Sequence, residues 1–409
     1  MDNFKKTYSE LRDLRRRYDY FSLDNHYKVI QIGNGESGYC SYSQLRTLPM
    51  LKWKDIGFIS ETPITRPFFG QFFYSFGFFE RLDFEIPLIR KYKEDNFYFE
   101  NIIHIDPKNK EIFLLGNKCF TYDYLLLNCG LSIDYKELGG IREKLDLRDN
   151  YFYCIDDFDT MEKMKEDFEN YYNGMPFNII VKKSSDRVYN VLEFAFITKN
   201  KFKKSKVNIF FEDSLIVDDE GLNQQLLEEL QYSKIDVSFD NKFSVKDDNG
   251  VAMLVINDET ELRSEFVLFA FDKKIPEFLD SSVFGPDSFN KEILQHKEYE
   301  EIFCSGSFIN RNSTLGCKYE QSKVAISNLH AYIKTTWTDK PQRYKTVNEN
   351  KSISLVKDFK TVKLFNSANK ANENGFIRSR LRGWRYFNID LFKFMYVLPY
   401  GFKIRKLFK

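Results

Sequence analysis

The sequence predicts an α/β fold of two parallel-sheet units, and three observations carry that prediction. A β-prone run, Tyr27-Lys28-Val29-Ile30-Gln31-Ile32, ends directly on the glycine turn Gly33-Asn34-Gly35-Glu36-Ser37-Gly38. A second strand-like run, Asp55-Ile56-Gly57-Phe58-Ile59-Ser60-Glu61, closes on an acid after a helical stretch through Cys40, Tyr42, Leu45 and Leu48. A further block of alternating strand and helix patterns opens near Phe177. Strands separated by helix-length periodic segments are the pattern of β-α-β units and a parallel sheet.

The glycine turn carries the most chemistry. Glycines at the first, third and sixth positions, between a strand and a helix, form the Rossmann dinucleotide-binding fingerprint. Gly33 allows the tight bend, Gly35 lets backbone approach a pyrophosphate, and Gly38 lets helix and strand pack closely. Amide groups and the dipole at the helix start then favour phosphate. Glu61 follows about 20 residues later, suited to a ribose hydroxyl. Glu36 disturbs the pattern, because its carboxylate falls inside the turn. Two like charges ~5 Å apart repel by roughly 1 kcal/mol in high dielectric and by more when partly buried. A side chain turned to solvent would avoid that cost.

Beyond this unit, Phe97-Tyr98-Phe99, Asn101 to Asp106, Glu111 to Leu115 and Tyr124 to Asn128 read as a β-meander inserted into the nucleotide domain. In the second block, Phe177 to Val181 and Lys206 to Phe211 are strand-like. A helix through Val191, Phe194 and Ile197 lies between them, and another runs from Leu222 to Tyr232. The strand-like runs Phe266 to Phe271 and Glu301 to Gly306 return towards the first domain.

Composition bounds the function classes. With 409 residues, two or three domains are the prior, and 43% hydrophobic residues support packed cores. A net charge of +1 argues against nucleic-acid binding driven by bulk charge. The six cysteines, Cys40, Cys119, Cys129, Cys154, Cys304 and Cys317, form no CxxC and read as small core residues in a reducing compartment. Cys129 has a second reading, as a thiol beside the dinucleotide. The four histidines are scattered, so no metal site is expected, and His296, in Gln295-His296-Lys297-Glu298-Tyr299, is expected at the surface.

The two ends are basic. Residues 1–24 carry Lys5, Lys6, Arg12, Arg15, Arg16 and Arg17 beside Asp2, Glu10, Asp13, Asp19 and Asp24. They read as a retained amphipathic helix or an uncleaved targeting signal. From Phe376 to Lys409, nine basic residues stand against Asp390 alone, interleaved with Trp384, Tyr386, Phe387, Phe392, Phe394 and Tyr396. A basic, aromatic, non-spanning stretch fits an interfacial membrane segment or a face that docks on a neighbouring protein.

From Asn25-His26-Tyr27-Lys28-Val29 to the C-terminus the chain resembles the sulfide:quinone oxidoreductases, within the pyridine-nucleotide-disulfide oxidoreductase group. Phe120-Thr121-Tyr122-Asp123-Tyr124-Leu125-Leu126-Leu127-Asn128-Cys129-Gly130 is similar to the family's YDYLIIATG segment, and Leu131 to Tyr135 continue it as in mitochondrial-type members. Lys204 to Phe211, Leu294 to His296 and Arg405-Lys406-Leu407-Phe408 are similar as well. The resemblance implies an FAD-type Rossmann domain from 25–150 and 265–338, a second Rossmann-like domain at 151–264, and a membrane- or partner-docking region at 339–409. FAD would be held through Gly33, Gly35, Gly38, Glu61, Gly130, Gly306 and Ser307.

Such enzymes pass electrons from sulfide through two redox-active cysteines to FAD and then to a quinone. By the resemblance, the first cysteine falls near Lys183 and the second at Ile353, and neither is present. Where the family has Gly-Asp on the ribityl chain, this chain has Gly306-Ser307, and its Ala-Thr-Gly is Asn128-Cys129-Gly130. No second GxGxxG occurs in 177–211, so no NAD(P)H site is expected. The resulting expectation is a pseudoenzyme with no catalytic residues, with the FAD pocket filled or empty. It would serve as an accessory subunit of a mitochondrial complex, peripheral on the matrix side of the inner membrane, with residues 376–409 on its lipid. The alternative is an active FAD-dependent quinone oxidoreductase with a different electron donor.

Overall fold

The computed structural model describes residues 26–334 except 89–95, 137, 139–140, 146–149, 171–173, 184, 186, 219, 249–250, 263–264, 286 and 310–314. It also describes 341, 343, 352–357, 360–365 and 379–380. The basic helix expected at 1–24 and most of the tail from Phe376 lie outside the described residues. The chain forms two compact units. One comprises Met1–Pro67, Glu85–Ser132 and Ile275–Val347, and the other Phe68–Phe84, Ile133–Lys274 and Asn348–Lys409.

The first unit begins with β1 (His26–Ile32), α1 (Glu36–Leu45) and β2 (Ile56–Ser60). Next come β3 (Asn96–Phe99), β4 (Ile102–Asp106), β5 (Glu111–Leu114) and β6 (Cys119–Leu127). β1 lies between β2 and β6 and pairs in parallel with both, Ile32 opposite Ile59 and Leu127. Every residue of β2 is buried, as expected of an apolar run inside a parallel sheet. The expected meander is narrower than its sequence pattern. Only β4, β5 and the start of β6 pair antiparallel, whereas β3 pairs in parallel with β2, Phe97 opposite Phe58. Tyr42, Phe58 and Phe97 meet there with centroids 5.0–5.4 Å apart, and that aromatic packing anchors β3 to the sheet.

In the second unit the parallel strands are β7 (Phe152–Cys154), β8 (Phe177–Val181), β9 (Val207–Phe211), β10 (Asp236–Ser238) and β14 (Phe266–Ala270). They run in the order β7-β14-β8-β9-β10. Helices α2 (Phe158–Asn170), α3 (Val188–Lys201) and α4 (Glu220–Tyr232) connect them. The runs FNIIV and FVLFA are buried throughout. Phe168 stacks on Phe266 at 5.5 Å and Phe177 on Phe194 at 5.5 Å, so phenylalanine builds the layer between sheet and helices. Each fully buried ring contributes roughly 2–3 kcal/mol. Between β10 and β14 lies an antiparallel sheet of β11 (Phe243–Asp248), β12 (Val251–Ile256) and β13 (Thr260–Leu262).

The chain then returns to the first unit as β15 (Phe289–Asn290), β16 (Gln295–His296), β17 (Ile302–Cys304) and α5 (Leu315–Ile333). β17 pairs in parallel with β6, Cys304 opposite Leu127. The first sheet then has nine strands and a parallel core ordered β17-β6-β1-β2-β3. His296 is not at the surface. It is 3% exposed, its Nε2 pairs with the Val283 carbonyl at 2.9 Å, and its Nδ1 accepts from the amides of Glu298 and Tyr299. A polar loop that wraps its backbone donors around a ring buries that ring, and residue polarity alone misses this. No helix of the described residues is long and apolar enough to cross a membrane.

Candidate functional site

Parallel strands place their C-terminal ends, and the loops after them, along one edge of a sheet, and in open α/β sheets ligands bind outside that edge. In the first unit, Gly33 follows β1, Gly130 follows β6 and Gly306 follows β17. All three hold φ between +68° and +95°, a backbone region that only glycine enters without strain. Packing around the turn is backbone on backbone. A Cβ at Gly38 would stand 2.1 Å from the Gly33 carbonyl oxygen, and one at Gly33 would stand 2.4 Å from that of Asn128. A Cβ at Gly35 would meet nothing within 4 Å. Gly33 and Gly38 are thus packed against backbone, while Gly35 stands open.

Side chains that the glycine pattern does not reveal hold this turn in place. Gln31 donates to the Gly38 carbonyl at 2.6 Å, and Asn34 donates to the Thr62 carbonyl at 2.6 Å. Ser37 pairs with Ser305 at 2.6 Å, and Ser305 donates to the Asn128 carboxamide oxygen at 2.5 Å. Ser322 of α5 donates to the Ser37 carbonyl at 3.2 Å, and Gln321 accepts from the Gly306 amide at 2.8 Å. All of these side chains are buried. They form a polar knot that ties α1, β6, β17 and α5 beneath the turn.

Glu36 neither faces solvent nor stands uncompensated. Its side chain is 8% exposed and its carboxylate lies 2.8 Å from the Lys318 ammonium, itself 14% exposed. Two residues after the turn, burial pushes the Cys40 thiol up to about 12, with Glu36 adding to the shift. The Cys129 thiol is likewise pushed up to about 12 by burial, with a contribution from Glu61. Cys129 itself is half-buried beside Gly130. Glu61 is exposed just past β2. Ser307 is half-buried, its hydroxyl 3.3 Å from where a Gly130 Cβ would stand.

Lys183 and Ile353 belong to the second unit. Lys183 is exposed, and its amide donates to the Glu212 carboxylate at 2.7 Å. Lys182 bonds the same carboxylate at 2.7 Å. Ile353 lies on the strand Ser352–Lys357, opposite Leu364. Deeper in this unit Asp156 lies 2.6 Å from Arg187 and 3.1 Å from Lys273. Burial alone would raise its carboxyl, yet the two cations hold it down to about 2.

The first unit's backbone matches the shape of a dinucleotide site, but its charges do not match a pyrophosphate. A buried carboxylate already stands at the start of α1, and the nearby lysine is paired with it.

These elements define a Rossmann-type dinucleotide-binding oxidoreductase fold. No family model matches the chain, and no curated protein matches it by sequence. Solved structures do. A chain of the Tetrahymena thermophila mitochondrial ATP synthase is 15% identical with TM-score 0.68, covering 95% of this chain and 96% of that one. The sulfide:quinone oxidoreductase of Aquifex aeolicus is 17% identical with TM-score 0.61, covering 83% of each chain. The water-forming NADH oxidase of Lactobacillus brevis is 12% identical with TM-score 0.60, covering 84% of this chain and 75% of that one.

Proposed function

We propose that the chain is a non-catalytic accessory subunit of a mitochondrial inner-membrane complex of the ATP synthase kind, built on an oxidoreductase fold. The observation that carries this reading is the near end-to-end likeness to a chain of the Tetrahymena assembly, over 95% of this chain and 96% of that one. The likeness to the Aquifex oxidoreductase stops at 83% of each chain. The absence of cysteine at Lys183 and Ile353 supports loss of the sulfide chemistry. On this reading the basic, aromatic stretch 376–409 serves membrane lipid or neighbouring subunits from the matrix side. The test is native electrophoresis of detergent-solubilised mitochondria. The chain should migrate with the ATP synthase activity band, and recovery only as a free monomer or small homo-oligomer would refute the proposal.

The second reading is an active FAD-dependent quinone oxidoreductase with an altered donor, favoured by the close packing at Gly33 and Gly38 and the open position at Gly35. A stoichiometric flavin band near ~450 nm in the purified chain would establish it.

A further inference from the structure

We infer that the Glu36–Lys318 ion pair occupies the charge site that the glycine turn would otherwise offer to a pyrophosphate, closing the first unit to dinucleotides. Three observations converge on this. Glu36 is the first residue of α1, where the amide ends and dipole of a helix favour an anion, and the N-cap residue before it, Gly35, supplies no side-chain cap. The carboxylate meets Lys318 at 2.8 Å, with both groups largely out of water, so the protein supplies both the anion and its countercharge. Beneath them the space between α1 and β17 is filled by the hydroxyls of Ser37, Ser305 and Ser322, all buried.

Volume is not what closes the site, because the position above Gly35 is open. Charge closes it. A pyrophosphate brought to the start of α1 would meet a fixed carboxylate rather than free amides and a free lysine, and the repulsion grows as water is excluded. Removing that carboxylate while keeping Lys318 should therefore turn the turn back into an anion site.

The experiment follows the thermal unfolding midpoint of the purified full-length chain with FAD and with ADP, each at about 1 mM, a concentration that reports even weak binding through linkage. The wild-type midpoint should not move. Glu36→Ser should show a rise of several degrees with ADP. Lys318→Met should lower the midpoint by about 5 °C or more without gaining a response to ADP. A wild-type rise with FAD or ADP would overturn the inference, and so would a folded Glu36→Ser that ignores ADP. Should Glu36→Ser fail to fold, the wild-type titration decides alone: an unmoved midpoint supports closure and a rise refutes it. The inference goes beyond the subunit reading and fails separately from it, since a nucleotide-bearing subunit would still migrate with its complex.

Discussion

Glu36 and Lys318 stand 282 positions apart in sequence and 2.8 Å apart in space, joining the start of α1 to the start of α5. Because both are poorly hydrated, losing one partner costs more than losing both. Lys318→Met alone should reduce unfolding stability by about 3 kcal/mol, whereas Glu36→Leu combined with Lys318→Met should recover most of it. Urea titration of the two single variants and the double variant measures the coupling. Simple additivity would show that the pair is not energetically joined.

Gly35 and Gly38 should respond very unequally to the same added methyl. Gly38→Ala drives a Cβ to 2.1 Å from a backbone carbonyl and should cost more than about 3 kcal/mol. Gly35→Ala meets open space and should cost within about 1 kcal/mol, the loss expected at a helix N-cap. Equal losses by chemical denaturation would contradict the packing described.

His296 should make the protein sensitive to mild acid. Burial lowers its value from 6.5, with the Val283 contact opposing, so below pH 6.5 the unfolded chain takes up a proton that the folded ring resists. Its contribution is complete above 6.5 and is lost as pH falls towards the folded value. His104 and His330 shift in the same direction. His296→Gln should therefore flatten, but not abolish, the fall in stability between pH 7 and pH 5, read by urea midpoints at about half-unit steps. An unchanged slope would remove His296 from the effect.

Asp156 has the reverse history, with its value lowered from 3.8 to about 2 by Arg187 and Lys273 against the pull of burial. Its stabilising contribution is present above 3.8 and disappears as pH falls through 2. Asp156→Asn removes the buried carboxylate that Arg187 and Lys273 share and should cost about 3 kcal/mol at neutral pH. The gap between wild type and variant should narrow only below pH 3.8. A gap that stays constant through that range would show that charge is not its source.

What was readable in the sequence was local. The strand ending on Gly33, the helix after Gly38 and the buried runs FNIIV and FVLFA announce themselves through neighbouring residues. What was not readable depends on partners remote in sequence. Phe97-Tyr98-Phe99 looks the same whether it pairs antiparallel with the next strand or parallel with β2, and contacts remote in sequence, with Tyr27, Tyr42, Phe58 and Phe120, go with the second. Glu36 read as a liability because no local pattern points to Lys318. His296 read as surface because its burial comes from backbone amides, which carry no sequence signature.

The knot beneath the glycine turn has a consequence for how the chain folds. Ser305 and Asn128 are 177 positions apart, and all of β7 to β14 lies between them. Loop-closure entropy opposes so remote a pairing until the intervening segment has itself become compact. The second unit's parallel sheet should therefore form first and act as the tether that brings β17 to β6. Pulsed hydrogen exchange during refolding should protect β8 and β14 before β17, and early protection of β17 would reverse that order. Until β17 arrives, one flank of β6 is an unpaired edge, the state in which such a chain is most prone to aggregate.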